Sequence, residues 1–266
     1  MIAVFDSGVG GLAILRQLTA QLPDHDFLYL ADSKAFPYGP RSADQLQARA
    51  SEITSYLIGR GAGLVVIACN TATVVAVEAL RLKFLIPFAG VVPPVKVAAS
   101  NNNNPILVLL TENTASGEKY TRLVQKYGLG RQVRTLSLPL LAQVVEDCSF
   151  RKPDVAQRVK DTLLKNLAPL PEEANLVLGC THYIFLKDLL RETFGQRIKI
   201  FDPSQAVAEQ VARLCEEHNL KNSGSGKIQY FCSGNTTKFS NSVAHLLGVD
   251  SPLVEKVKLA EIDPAD

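Results

Sequence analysis

The chain has 266 residues, 47% hydrophobic and 20% charged, with 28 Lys and Arg against 26 Asp and Glu. This predicts a soluble globular protein with room for two lobes; the near-balance of charge, without a run of five like charges, gives no reason to expect nucleic acid or an anionic membrane, and leaves a small molecule as the expected partner. Met1-Ile2-Ala3-Val4-Phe5-Asp6 lacks a basic leader and soon meets an acid, so neither a signal peptide nor a membrane span is expected and the cytoplasm is the expected location.

A short apolar strand over 2–5 runs into Asp6-Ser7-Gly8-Val9-Gly10-Gly11, where glycines allow a sharp turn and offer amides at a helix start, and Leu12, Leu15, Leu18 and Leu22 carry the helix. A strand over 27–30 leads to Ala31-Asp32 and the turn-rich Phe36-Pro37-Tyr38-Gly39. A helix over 43–58, a strand over 64–68, a helix over 73–84 and a strand over 88–92 follow. The pattern restarts after the polar Asn101-Asn102-Asn103-Asn104 with a strand to Leu110 that ends at Thr111. Helices over 118–127, 140–147 and 153–166, with a strand over 133–136 among them, precede a strand over 176–178. Beyond it come a helix over 185–194, a strand over 198–201 and a helix over 205–218. Asn222-Ser223-Gly224-Ser225-Gly226 reads as a flexible linker before a strand over 228–231, a helix over 241–247 and a strand over 254–257.

Strand alternating with helix predicts an α/β protein with mainly parallel sheets. Two segments repeat one device: Val65-Val66-Ile67-Ala68-Cys69-Asn70-Thr71 and Leu176-Val177-Leu178-Gly179-Cys180-Thr181-His182 each carry a buried strand into a cysteine flanked by hydroxyl or amide donors. Cys69 lies 63 residues after Asp6, and Cys180 lies 69 after Thr111. The matched intervals suggest two pseudo-symmetric lobes, each a sheet flanked by helices, whose strand ends face one cleft.

Two thiols facing one carbon form a reversible acid and base pair, able to invert configuration without a cofactor. Asp6 is placed to assist Cys69, and His182, two residues from Cys180, to assist that thiol. Ser7, Asn70, Thr71, Thr111, Thr114 and Thr181 suit a substrate bearing carboxylates. The alternative use for Asp6 is to cap the first helix, and Asp32 has the same structural alternative. Cys148, Cys215 and Cys232 lack polar flanks and read as packing residues, and His25, His218 and His245 as surface or helix residues. Five cysteines without a CxxC fit no disulfide framework or tetrahedral zinc site, and Cys180 with His182 lacks further spaced metal ligands. A rival reading of the first loop is dinucleotide binding: Gly8, Gly10 and Ala13 fit GxGxxA, with Asp32 about 20 residues on. Against it, Asp6 would place a carboxylate beside the pyrophosphate and both cysteine devices would go unused.

Phe5-Asp6-Ser7-Gly8-Val9-Gly10-Gly11, Ala31-Asp32 with Pro37-Tyr38-Gly39, Ala68-Cys69-Asn70-Thr71-Ala72, Gly90-Val91-Val92-Pro93 and Gly179-Cys180-Thr181-His182-Tyr183 together resemble the cofactor-independent aspartate/glutamate racemase superfamily, glutamate racemases above all, over nearly the whole chain. The resemblance implies interconversion of L- and D-glutamate, supplying D-glutamate for peptidoglycan in the bacterial cytoplasm. It implies no pyridoxal phosphate or metal, a substrate cleft between two α/β lobes, and a homodimer. By the same resemblance Cys69 deprotonates D-glutamate and Cys180 L-glutamate, with Asp6 and His182 as their assistants. Asp6, Ser7, Pro37, Tyr38, Gly39, Asn70, Thr71, Thr114, Thr181 and His182 are similar to substrate contacts. Glu146, in Val144-Val145-Glu146, resembles an acid near the family histidine, and Asp32 stands as a further supporting acid. Lobe one is expected to be discontinuous, 1–96 with 207–266, and lobe two to span 97–206. Thr73 stands where Ser is common and Ile184 where proline is common, which leaves aspartate racemase as the nearest enzymatic rival. Without the long N-terminal extension linked to activation by a peptidoglycan precursor, that regulation is not expected.

Overall fold

The computed structural model describes residues 1–128, 132–220 and 224–261. It contains two sheets in which every strand pairing is parallel. In chain order the first part comprises β1 (Ile2–Asp6), α1 (Leu12–Gln21), β2 (Phe27–Ala31), α2 (Ala43–Gly59), β3 (Leu64–Ile67), α3 (Asn70–Lys83) and β4 (Phe88–Gly90). The middle part comprises α4 (Val95–Asn101), β5 (Ile106–Leu110), α5 (Glu112–Ser116), α6 (Glu118–Tyr127), β6 (Val133–Ser137), α7 (Pro139–Glu146), α8 (Pro153–Leu167), β7 (Ala174–Leu178), α9 (Lys187–Phe194) and β8 (Ile198–Phe201). The chain then returns through α10 (Ser204–Glu217), β9 (Ile228–Cys232), α11 (Thr236–Leu247) and β10 (Val254–Lys256).

The first sheet runs β10-β9-β2-β1-β3-β4 and the second β6-β5-β7-β8. The order β2-β1-β3-β4 is that of β6-β5-β7-β8, so each sheet contains the same four-strand unit, and β9 and β10 extend the first beyond β2. In both units the chain leaves the first strand toward one side and returns on the other, which opens a crevice at the strands' carboxyl ends.

Strands covered on both faces divide their residues between two cores by simple alternation. Ile2 and Val4 of β1 enter a large core that also holds Leu107, Leu109, Leu176 and Leu178 of the second sheet, so one apolar body joins the lobes. Ala3 and Phe5 enter a second core against α2 and α3. Ile106, Val108 and Leu110 join Val95, Ala98 and Tyr120 in a third.

Most departures from the sequence expectations concern helices, apart from β4, which stops at Gly90 rather than 92. Helix α3 begins at Asn70 rather than 73, because extended Cys69 is its N-cap and the Cys69 carbonyl accepts from Thr73 N–H at 2.9 Å. A 3-10 turn, Thr181–Leu186, precedes α9 where a helix from 185 was expected. Helix α11 starts five residues before 241, capped by the Asn235 side chain. The short helices α4 and α5 were not expected; proline caps α4 and α5 has five residues, too few to show a period. Residues 222 and 223 of the expected linker lie outside the described residues. Its remainder is anchored, since Ser225 and Lys227 N–H both donate to Asp26 Oδ1, at 2.9 and 3.0 Å.

Thr73 ties these pieces together, donating to the Ile67 carbonyl at 3.0 Å and accepting from Val91 N–H at 3.1 Å, both buried. Val91 N–H also donates to the Ile67 carbonyl at 3.2 Å, so Thr73→Val removes one of two bonds from each group and should destabilise the fold by about 1 kcal/mol, whereas Thr73→Ser keeps both bonds and most of the stability. Urea unfolding of the two variants checks this.

Candidate functional site

Strand register builds the site. Phe5 pairs with Ile67, Ala68 N–H donates to the Phe5 carbonyl at 2.8 Å, and Cys69 therefore leaves β3 beside Asp6 at the end of β1. In the second sheet Leu109 pairs with Leu178, Gly179 N–H donates to the Leu109 carbonyl at 2.6 Å, and Cys180 leaves β7 beside Thr111. Each cysteine thus caps a helical turn at a strand's carboxyl end, α3 for Cys69 and the 3-10 turn for Cys180. Amides at a helix start favour negative charge, which is what a thiolate needs.

Both cysteines line one cavity of about 500 Å3 between the lobes. Asp6, Ser7, Pro37, Tyr38, Gly39, Asn70, Thr71, Thr181 and His182 line it too. No Lys or Arg is among its described lining residues, so neutral donors, helix starts and His182 are the groups on the wall that can hold an anion. Asn70 is buried with neither amide atom partnered, and Asp6 Oδ1 likewise lacks a partner, which leaves unmet hydrogen-bonding capacity beside the cavity. Thr71, Thr111 and Thr114 hydroxyls form a triangle of 2.9 to 3.3 Å across the lobes. Thr114 is not on the cavity wall; it stands behind the other two.

The two thiols have different company. Cys69 Sγ lies 3.8 Å from Ser7 Oγ. Burial pushes its pKa well up, and the Asp6 charge adds to this, against a lowering contribution from the Ala72 amide and Ser7. Burial also raises Asp6 to about 6, despite the opposing charge of His182 and the Gly11 N–H that donates to Asp6 Oδ2 at 2.8 Å. Asp6 therefore accepts from a loop amide at the start of α1 and lines the cavity at once. Cys180 Sγ lies 3.8 Å from His182 Nδ1, and His182 Nε2 lies 2.9 Å from Glu146 Oε2. Burial pulls the His182 pKa down, but the hydrogen bonds to Cys180 and Glu146 outweigh it and hold the imidazole well above its ordinary value. Glu146 sits behind His182, off the cavity wall, and also accepts from Val9 N–H at 2.9 Å.

The glycine loop has a different role from the one expected. Gly8, Gly10 and Gly11 all have ordinary negative φ; what they supply is close approach. A Cβ on Gly8 would lie 2.1 Å from Glu146 Oε2, and one on Gly10 2.4 Å from His182 Nδ1. The dinucleotide reading through Gly8, Gly10, Ala13 and Asp32 fails here. The Val9 and Gly11 amides are taken by carboxylates, Ala13 is buried in the core, and Asp32 is saturated by four hydrogen bonds. Asp32 is likewise not an acid of the cleft: it is fully buried and paired with Arg49. Among the described residues no group of three or more His, Cys, Asp or Glu side chains is arranged to hold a metal ion.

Residues 12–211 match the family described as Asp/Glu/hydantoin racemase. A glutamate racemase of Herpetosiphon aurantiacus is 37% identical over 244 residues, covering 90% of this chain and 94% of that one. The chain belongs to the Asp/Glu/hydantoin racemase family. The structure of Escherichia coli glutamate racemase in complex with L-glutamate and activator UDP-MurNAc-ala is similar at 29% identity and a TM-score of 0.85, over 98% of each chain. The Picrophilus torridus aspartate racemase shares the fold alone, at 16% identity and a TM-score of 0.53 over 82% of this chain and 94% of that one.

Several site residues were not anticipated. Phe36 packs against the His182 ring with centroids 5.3 Å apart, and Tyr29 donates to the Gly8 carbonyl at 2.8 Å to hold the loop. Phe36 adjoins a quoted motif and was within reach; Tyr29 lies inside an apolar strand and gives no signal.

Asp6 is protonated more readily in the folded chain than at its ordinary 3.8, so its contribution to stability is full below 3.8 and is lost as pH rises through about 6. The difference corresponds to about 3 kcal/mol. Asp6→Asn should therefore flatten the stability change between pH 4 and 7, read from urea midpoints across that range. His182 has the same sign: its favourable contribution is full below 6.5 and is lost only as pH rises through its elevated folded value. Glu146→Gln should lower that value, so that the imidazole signals titrate at lower pH by NMR; an unmoved titration would refute the assignment.

Proposed function

We propose that this protein is a glutamate racemase, interconverting L- and D-glutamate by removing a proton from one face of Cα and returning one to the other. The observation that carries the reading is the pair Cys69 and Cys180, on opposite lobes of one cavity, each with its own proton-handling neighbour. Cys69 takes the Cα proton of D-glutamate and Cys180 that of L-glutamate. In the first direction the Cα–H bond electrons stay on carbon, delocalised into the carboxylate, while Cys180 delivers its proton to the opposite face. One proton leaves and one arrives, and the two sulfurs exchange protonation state.

Asp6 and His182 make that exchange reversible. The Asp6 charge and burial keep the Cys69 proton in place in the ligand-free cleft, and a substrate ammonium beside Asp6 would offset that charge and let the thiolate form. His182, pushed toward its protonated form by its hydrogen bonds to Cys180 and Glu146, is placed to pass a proton to Cys180 and recover it. Ser7, Asn70, Thr71 and Thr181, with helix-start amides, are the donors we assign to the two carboxylates; Pro37, Tyr38 and Gly39 shape the wall, and Thr114 backs Thr71.

The preference for glutamate over aspartate is supported by the 37% identical relative, whereas likeness to the aspartate racemase extends to fold only. We further propose that the protein supplies D-glutamate for peptidoglycan in the cytoplasm, as a homodimer. No described helix is long and apolar enough to cross a membrane. The lobe division belongs to the same reading: 1–96 with 207–266, and 97–206, supported by β9 and β10 in the first sheet, with both crossings inside helices, α4 and α10.

Proton NMR of D-glutamate in D2O, followed together with optical rotation, tests the assignment. The wild type should lose the α-proton signal as rotation decays, and Cys69→Ser and Cys180→Ser should each lower the rate at least about 100-fold. Activity left intact by either substitution would sink the two-base mechanism, and an inert D-glutamate the substrate.

A further inference from the structure

Asp32 and Arg49 do nothing in the proton transfers above, yet they form the most elaborate buried polar group of the first lobe. Arg49 Nε and Nη2 donate to Asp32 Oδ2 and Oδ1 at 2.7 and 2.8 Å, a two-pronged contact that fixes the plane of the carboxylate. Each Asp32 oxygen then accepts once more: Oδ1 from Ser233 at 2.6 Å, and Oδ2 from the Tyr38 hydroxyl at 2.6 Å. Tyr38 lines the cavity together with Phe36, Pro37, Gly39 and Pro40, whereas Asp32, Arg49 and Ser233 do not. The guanidinium is anchored in turn from the far end of the chain. Its Nη1 donates to the Ala260 carbonyl at 2.6 Å and to Glu52 Oε2 at 3.3 Å, while Ala260 N–H donates to Glu52 Oε1 at 2.7 Å. That end of the chain is itself held down: Val257 is buried with its N–H on the Cys232 carbonyl, Leu259 packs on the second core, and Glu261 pairs with Lys34 at 2.5 Å.

A buried ion pair contributes little to net stability, because desolvation offsets the attraction, but it does impose geometry. Resting on the racemase reading above, we propose that Arg49 is a positioning residue for the reaction. Strapped by residues 257–261, it holds Asp32 in one orientation, and Asp32 holds the Tyr38 phenol and with it the cavity wall over 36–40. The connection runs over 200 residues of sequence, from Tyr38 in the cleft wall to Ala260 near the chain's end.

Arg49→Lys keeps the charge and loses the two-pronged contact. It should raise KM for glutamate about tenfold with kcat changed less than about threefold, and Tyr38→Phe added to it should make KM no worse, because both changes break the same chain. Hydrogen exchange measured by mass spectrometry on the full-length protein gives a readout that needs no substrate. In Arg49→Lys, exchange should rise over 33–41 and 257–261 but not over α1. A uniform rise, no rise, or KM effects that multiply in the double variant would overturn the proposal. If Arg49→Lys does not fold, Ser233→Ala removes one of the four bonds to Asp32 together with the acceptor of Lys34 N–H, and should raise exchange with smaller amplitude over 35–41, beyond Lys34 itself. An inert wild type with this exchange pattern would refute the racemase assignment and leave the positioning chain standing.

Discussion

The loop between β1 and α1 lies too close to the opposite lobe for a side chain at position 8 or 10. Gly8 and Gly10 leave no room for a Cβ because Glu146 and His182 occupy the space. Through this contact the Val9 amide reaches Glu146, and Glu146 reaches His182, so a carboxylate of the second lobe is held by the backbone of the first. The proton relay serving Cys180 therefore depends on a seam between lobes, and an added methyl group in that loop would displace it. On the other side of the loop, Gly11 gives its amide to Asp6, the neighbour of Cys69. One five-residue turn thus sets the surroundings of both thiols.

Around that seam the two sheets repeat one construction. Parallel ladders hold β1 level with β3, and β5 level with β7, so the cysteine that follows β3 or β7 emerges beside the end of the strand at the switch in direction. The same chain path produces a carboxyl-end crevice in both lobes, and packing the crevices against one another produces a cavity with a thiol on each wall. The shared apolar core beneath, which draws from both sheets, holds the walls in register.

The electrostatics are those of a site built for anions without lysine or arginine among the described residues of its wall. Burial raises Cys69 and Asp6, and His182 alone is pushed toward its charged form, by its own partners. Such a cleft holds protons in the absence of ligand and changes their distribution when a charged ligand enters. The cost is paid in stability at neutral pH, where a buried Asp6 must ionise.

Much of this was legible in the sequence. Strand and helix order, the parallel sheets, Cys69 and Cys180 at matched strand ends, and the polar residues beside them follow from local pattern, because a doubly buried strand ending in a polar turn has a signature only a few residues long. Asp6, Ser7, Asn70, Thr71, Thr181 and His182 are adjacent in sequence to those ends and so were found with them. Tertiary packing alone decided the rest. It gave the glycines, read as a sharp turn that exposes amides, a role as points of close approach, removed Asp32 from the cleft by pairing it with Arg49, and placed Phe36 on His182. Each of those outcomes depends on contact between residues far apart in the chain, for which periodicity and spacing carry no information.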